Sequence, residues 1–239
     1  MIGEKLIARE AEVMKLLGII HGANRAYTLI GGYAVDAYSP LPRYSVDLDI
    51  VTARPEAEQY SSLFEKNGFG DEGSLYNNEL EGLETRRFAK PIGEEHVFID
   101  LLVDRVRCRQ TEAVWKADEV GRASSELRVI GVNGSVLSNV TSREMLISLK
   151  LHSGRGPDLR DVVMLAADAD WAVVKTLSDR GAGPKLIDQL EHAIKVLSEA
   201  GFEDRFKAYF GSRHDEKNRV AIASAKIRDL LKRISSTGV

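Results

Sequence analysis

Ile30-Gly31-Gly32-Tyr33-Ala34-Val35-Asp36-Ala37-Tyr38-Ser39-Pro40-Leu41-Pro42-Arg43-Tyr44-Ser45-Val46-Asp47-Leu48-Asp49-Ile50 is the stretch on which the reading of this chain turns. Val46, Leu48 and Ile50 alternate with Asp47 and Asp49. A strand with that period buries its apolar face and points both carboxylates off the other. Two ionised carboxylates side by side repel unless a cation lies between them. Hard oxygen donors suit a divalent ion such as magnesium, which phosphoryl-transfer sites hold through a few carboxylates plus substrate phosphates. Upstream, the apolar run Tyr27 to Ile30 predicts a strand, Gly31-Gly32 a close-approaching turn, and Tyr33 to Tyr38 a short helix. Phosphate oxygens bind well against such a backbone. Ser45 is placed to hydrogen-bond a terminal phosphate, and Arg43 to supply positive charge or fix the loop. The competing reading is a surface strand with two solvated aspartates and a hairpin-type Gly-Gly turn.

The order Gly31-Gly32, Arg43, Ser45, Asp47-x-Asp49 resembles the signature of the DNA polymerase β-like nucleotidyltransferase superfamily. The resemblance implies a metal-dependent enzyme with an α/β (α+β) core built on a mixed sheet. It also implies a third metal carboxylate on a neighbouring strand. Asp100 is the candidate, a single acid inside the β-favouring run His96-Val97-Phe98-Ile99-Asp100-Leu101-Leu102-Val103, where it is costly unless paired or metal-bound. Asp104 is the fallback on the same expected strand face. A strand that merely ends at the surface would also explain Asp100.

A second block, Ser148-Leu149-Lys150-Leu151-His152-Ser153-Gly154-Arg155-Gly156-Pro157-Asp158-Leu159-Arg160-Asp161, resembles the helical segment that follows the catalytic domain in abortive-infection type toxins and related prokaryotic nucleotidyltransferases. The resemblance gives Lys150, and with it Arg155, a place on the triphosphate. Lysine suits that task as a compact charge on a flexible stem. Asp158 and Asp161 share one face of a helix opening near Pro157, where they can tie down Lys150 or Arg155 or cap the helix.

The resemblance, together with the chemistry of these residues, implies transfer of a nucleoside monophosphate from an NTP, ATP among them, to an acceptor, with release of pyrophosphate and with Mg2+ or Mn2+ as cofactor. Asp47, Asp49 and Asp100 would hold metal; Gly31, Gly32, Arg43 and Ser45 would cradle phosphates. A tRNA or protein hydroxyl is the favoured acceptor, in a toxin-antitoxin setting with an antitoxin partner. The alternatives are a small-molecule acceptor of aminoglycoside type, or a nucleotide-binding domain of the same fold without turnover.

The rest of the chain is compatible with this. The 239 residues carry 33 Lys and Arg against 36 Asp and Glu, a formal charge of −3, which excludes a surface that is basic throughout. The single cysteine, Cys108, excludes an intramolecular disulfide and a cysteine-clustered zinc site. No secretory pattern and no membrane-length apolar run is present, so a cytoplasmic protein is expected. The histidines lack metal-ligand spacing.

Helices are expected over Glu4 to Ile20, Pro55 to Lys66, and from the capping box Thr141-x-x-Glu144 onward at about 158–168, 170–180, 184–200, 203–210 and 216–235. Strands are expected at 84–88 and 97–103, turning through Lys90-Pro91-Ile92-Gly93, and as a hairpin turned at Asn133-Gly134. Residues 67–82 read as a loop near the site, and Arg105, Arg107 and Arg109 as one face of a continuing strand. A catalytic domain over 1–140 and a helical C-terminal domain over 141–239 follow.

Overall fold

The computed structural model describes residues 2–39, 45, 47–78, 83–210 and 216–236. Arg43 and Val46 lie outside them. The chain divides into two compact units, Met1–Val106 with Trp115–Ser142, and Arg107–Val114 with Arg143–Val239. It is a mixed α/β protein with a seven-stranded mixed sheet and a helical C-terminal part.

The first unit opens with α1 (Ile2–Gly22), whose Val13, Leu16, Leu17 and Ile20 are buried at helical spacing. Then follow β1 (Thr28–Ile30), α2 (Gly31–Asp36), β2 (Asp47–Thr52), α3 (Arg54–Lys66), β3 (Gly70–Asn78), β4 (Leu83–Ile92) and β5 (Glu95–Val103). After β6 (Arg105–Arg107) and β7 (Val114–Lys116), which form a separate two-stranded ribbon, come α4 (Ala117–Arg122), β8 (Ser125–Gly131) and β9 (Gly134–Val140). The sheet order is β3-β4-β5-β2-β1-β9-β8. β2 runs parallel to β5 and antiparallel to β1. One face of the sheet is core: Leu48, Ile50, Val97, Ile99, Leu101 and Val103 are fully or almost fully buried. Along β5 the alternation of buried and half-buried positions is the period-2 pattern of a one-sided sheet.

In the second unit α5 (Arg143–Ser153), α6 (Gly156–Leu165), a 3-10 turn (Ala166–Asp168), α7 (Trp171–Ser178), α8 (Gly183–Leu197), α9 (Phe202–Phe210) and α10 (Glu216–Ser235) follow one another. Pro157 sits in the first turn of α6, where its missing N–H costs nothing. Leu186, Leu190, Ala193 and Leu197 of α8 are buried, as are Val220, Ala223, Ile227, Leu230 and Ile234 of α10, which packs on α8. No helix among the described residues is long and apolar enough to cross a membrane.

Several local expectations are corrected. Residues 70–78 of the expected loop are strand β3, irregularly paired to β4 with register shifts at Asp71/Gly73 and Ser74/Tyr76. The β4–β5 hairpin turns after Ile92, which pairs with Glu95, so Lys90, Pro91 and Ile92 are strand rather than turn. α5 begins without the Thr141/Glu144 box: the Thr141 hydroxyl donates to the Val120 carbonyl, and Glu144 accepts the Asp170 backbone N–H. β6 ends at Arg107, so Arg109 is not on a strand with Arg105.

Candidate active site

In the sheet, Asp49 is the Cα partner of Asp100 on β5 and of Ile30 on β1. Partners in register share a face, and alternate residues return to it, so Asp47, Asp49 and Asp100 lie on the side opposite the Leu48/Ile50/Ile99/Leu101 core. The Asp-x-Asp alternation is therefore doubled by the neighbouring strand.

Gly31 follows Ile30 and has φ +70°. A Cβ on it would lie 1.9 Å from Asp49 Oδ2. Glycine is thus required twice over, by the backbone and by the carboxylate seated against it. The helix expected from Tyr33 begins at Gly31 itself, so the glycine pair forms the first turn of α2. The Ser45 carbonyl accepts the hydroxyl of the buried Tyr33 at 2.9 Å, and the Ser45 hydroxyl lies 3.5 Å from the Asp47 carbonyl. Tyr33 thereby ties the approach to β2 back to α2, a role nothing in the spacing signalled.

Asp100 is in mid-strand, its side chain 15% exposed, and its two carboxylate oxygens accept Nε and Nη2 of Arg87 on β4, both at 2.7 Å. This is the bidentate fork that arginine makes with a carboxylate. The Asp100 hydrogen bonds above all, then the negative charges of Asp100, Asp47 and Asp49, hold Arg87 more firmly protonated than an ordinary arginine despite its partial burial. Arg87 is a site residue that no motif in the sequence singled out. The fallback Asp104 is occupied elsewhere: it lies beyond β5 with φ +62°, accepting the backbone N–H and Nε of Arg54.

No group of three or more His, Cys, Asp or Glu side chains is gathered to hold a metal ion among the described residues. Asp47 and Asp49 nonetheless supply the hard oxygen chemistry that a divalent ion shared with phosphates needs. Asp100 is engaged by Arg87.

The second candidate block forms a buried ionic hub in the helical unit. Lys150 Nζ lies 2.5 Å from Asp161 Oδ2 and 3.3 Å from Asp158 Oδ1, with side-chain exposures of 8%, 2% and 5% for Lys150, Asp161 and Asp158. Asp158 also accepts Ser153 Oγ and Arg155 Nε, each at 2.7 Å. Burial pushes the Asp158 carboxyl up, but the Lys150 charge and the Arg155 and Ser153 bonds outweigh it and hold the group below the usual aspartate range. Gly154, at φ +62°, makes the turn between α5 and α6 that closes this hub. Arg155 is itself mostly exposed.

His152, next to the hub in sequence, is fully buried between the Thr111 hydroxyl, 2.6 Å from Nδ1, and the Ser178 carbonyl, 3.0 Å from Nε2. Burial pulls its pKa down to about 4. The carbonyl needs a donor, so Nε2 carries the proton and Nδ1 accepts from Thr111.

No family model and no curated protein matches the chain. Among solved structures it is similar to JHP933 from Helicobacter pylori, with a TM-score of 0.53 and 14% identity over 98% of this chain and 95% of that one. A protein of H. pylori provisionally described as a nucleotidyltransferase matches with a TM-score of 0.46 and 14% identity over 99% of both chains. The lincosamide antibiotic adenylyltransferase LnuA, bound to lincomycin, matches with a TM-score of 0.45 and 18% identity over 67% of this chain and 98% of that one. At such identities the likeness to JHP933 is one of fold, and it runs through both the sheet and the helical part.

Proposed function

We propose that this chain is a metal-dependent nucleotidyltransferase of the DNA polymerase β-like kind. The observation that carries the reading is the convergence of Asp47, Asp49 and Asp100 on one sheet face with Gly31 closed against Asp49. Asp47 and Asp49 would hold a magnesium or manganese ion. When bound, that ion would neutralise triphosphate charge and polarise the phosphorus under attack, the electrostatic work that dominates phosphoryl transfer.

The chain's own residues do the rest. Gly31 and Gly32 let phosphate oxygens approach the backbone, and Ser45, fixed through its carbonyl by Tyr33, presents a hydroxyl at the start of β2. Asp100 accepts the acceptor hydroxyl's proton, with Arg87 holding it oriented. The new bond joins the acceptor oxygen to the α-phosphorus, and the bond from that phosphorus to the bridging oxygen breaks, so pyrophosphate leaves. Lys150, and with it Arg155, is proposed for the pyrophosphate side through the resemblance of their block, with Asp158 and Asp161 tying the two cations down. A tRNA or protein hydroxyl is the proposed acceptor and an antitoxin the proposed partner.

The test is to incubate the protein and Asp49→Asn with each labelled NTP, magnesium or manganese, and total tRNA plus cell extract. Metal-dependent label on a macromolecule, absent with Asp49→Asn, is the expected result. Metal-dependent NTP binding without macromolecular label would redirect the search to small acceptors. Neither binding nor transfer would overturn the assignment.

A further inference from the structure

The face that carries the three aspartates also carries a row of planar side chains. Phe98 is the Cα partner of Asp47 across the β2–β5 ladder, so it shares the acidic face, and it is only half-buried there. His96, two residues before it on the same face, is exposed and stacks with Phe98, the ring centroids 5.9 Å apart and the planes 23° from parallel. The Arg87 guanidinium lies 5.1 Å from the Phe98 centroid while its nitrogens hold Asp100. Arg87, Phe98 and His96 thus form one row that runs beside Asp100 and Asp47 and on toward the hairpin end. On β4, Ala89 and Pro91 are the partners of Phe98 and His96 and give the row low walls. Phe98 is thus only partly covered, and the ring that covers it, His96, is itself open to solvent.

Strand order says which substrate the row faces. β2 lies between β1, which leads into Gly31 and Gly32, and β5, which carries Phe98 and His96. On the proposed function, on which this inference rests, phosphates occupy the Gly31 side of β2. In-line displacement brings the acceptor from the side opposite the leaving group. The row is therefore on the acceptor side.

We infer that Arg87, Phe98 and His96 form an acceptor subsite in which His96, backed by Phe98, stacks on the terminal base of a single-stranded RNA. Aromatic rings and guanidinium planes are how single-stranded RNA bases are held, and base–aromatic stacking tolerates any base. The acids at the hairpin end, Glu94 and Glu95, are paired with Lys5 and Arg9, and Arg87, its nitrogens held by Asp100, contributes its plane over the Phe98 ring.

The test compares two fluorescein-labelled RNA oligonucleotides at fixed salt, identical except that one ends in an ordinary nucleotide and the other in an abasic one. Wild type is expected to bind the base-ended strand roughly 5- to 150-fold more tightly, the range that one base–aromatic stack supplies. His96→Ala should bind the two alike, and His96→Phe should restore the preference. Magnesium-dependent binding of a non-hydrolysable NTP should be unchanged in both variants and lost in Asp49→Asn.

Several results would overturn the inference and leave nucleotidyl transfer standing: no preference in wild type while NTP still binds, a preference that survives His96→Ala, or displacement of the RNA by a tyrosine-bearing peptide from wild type but not from His96→Ala. An NTP affinity that falls with His96→Ala would assign the row to the nucleotide instead and overturn the acceptor reading. Absence of Asp49-dependent NTP binding would remove the proposed function, and the acceptor subsite with it.

Discussion

Replacing Lys150 by methionine keeps the stem of the side chain and deletes its charge, leaving Asp158 and Asp161 facing one another in the interior of the helical unit. The ammonium is 2.5 Å from one carboxylate and 3.3 Å from the other, and none of the three side chains is more than 8% exposed. Water cannot take over the deleted charge. Breaking a buried pair from one side costs roughly 3–5 kcal/mol, because the uncompensated ion stays in a poor solvent. With a urea dependence of about 2 kcal/mol per molar, the midpoint of the helical unit should fall by roughly 1.5–2.5 M, read by far-UV circular dichroism. Adding Asp161→Asn to Lys150→Met should recover about 1–3 kcal/mol, since neighbours in one network are not additive. The pH dependence has a sign. The net depression of Asp158 contributes stability that is present above the ordinary aspartate pKa and lost as pH falls through its lower folded value. Lys150→Met should flatten that acid limb. A loss below about 1 kcal/mol with the acid limb unchanged would refute the stabilising role given to the buried hub.

Gly31→Ala places a methyl carbon where Asp49 Oδ2 now lies and holds alanine at φ +70°. It should cost about 1–2 kcal/mol and abolish metal-dependent NTP binding by calorimetry, and retained binding would separate Asp49 from the site. Arg87→Met frees Asp100 beside Asp49, so the melting temperature should drop in EDTA and be restored by manganese; a drop that manganese does not reverse would deny Asp100 a place near the ion. For His152, neutral when folded, the unfolded chain takes up a proton below pH 6.5 and the native state only below about 4. Stability should fall by up to about 3 kcal/mol as pH drops across that window, and His152→Gln should remove the slope. A wild-type stability curve flat from pH 6.5 to 4 would show that the histidine protonates without cost.

What the sequence disclosed, and what it withheld, follows from the range of each signal. Helices in the second unit were legible because their faces repeat every three to four residues, as in Val220, Ala223, Ile227, Leu230 and Ile234, and each repeat is local. The Asp-x-Asp pair was legible for the same reason. What Asp100 and Lys150 touch was not, since that depends on register across elements. Arg87 stands opposite Asp100 only because β4 turns after Ile92, pairing Ile92 with Glu95 and so, five steps back, Arg87 with Asp100. Placing the turn through Lys90 to Gly93 shifts that ladder, and a shift of one residue moves Arg87 to the core face. The same register puts Ala89 opposite Phe98 and Pro91 opposite His96, which no motif could announce. Gly31 lay between the two cases: its need for a left-handed backbone is a local property, while the carboxylate seated against it arrives with the antiparallel β1–β2 pairing of Ile30 and Asp49. A residue's own chemistry can thus be read along the chain, but whether an arginine is spare charge or the guardian of a carboxylate is decided by one turn several residues away.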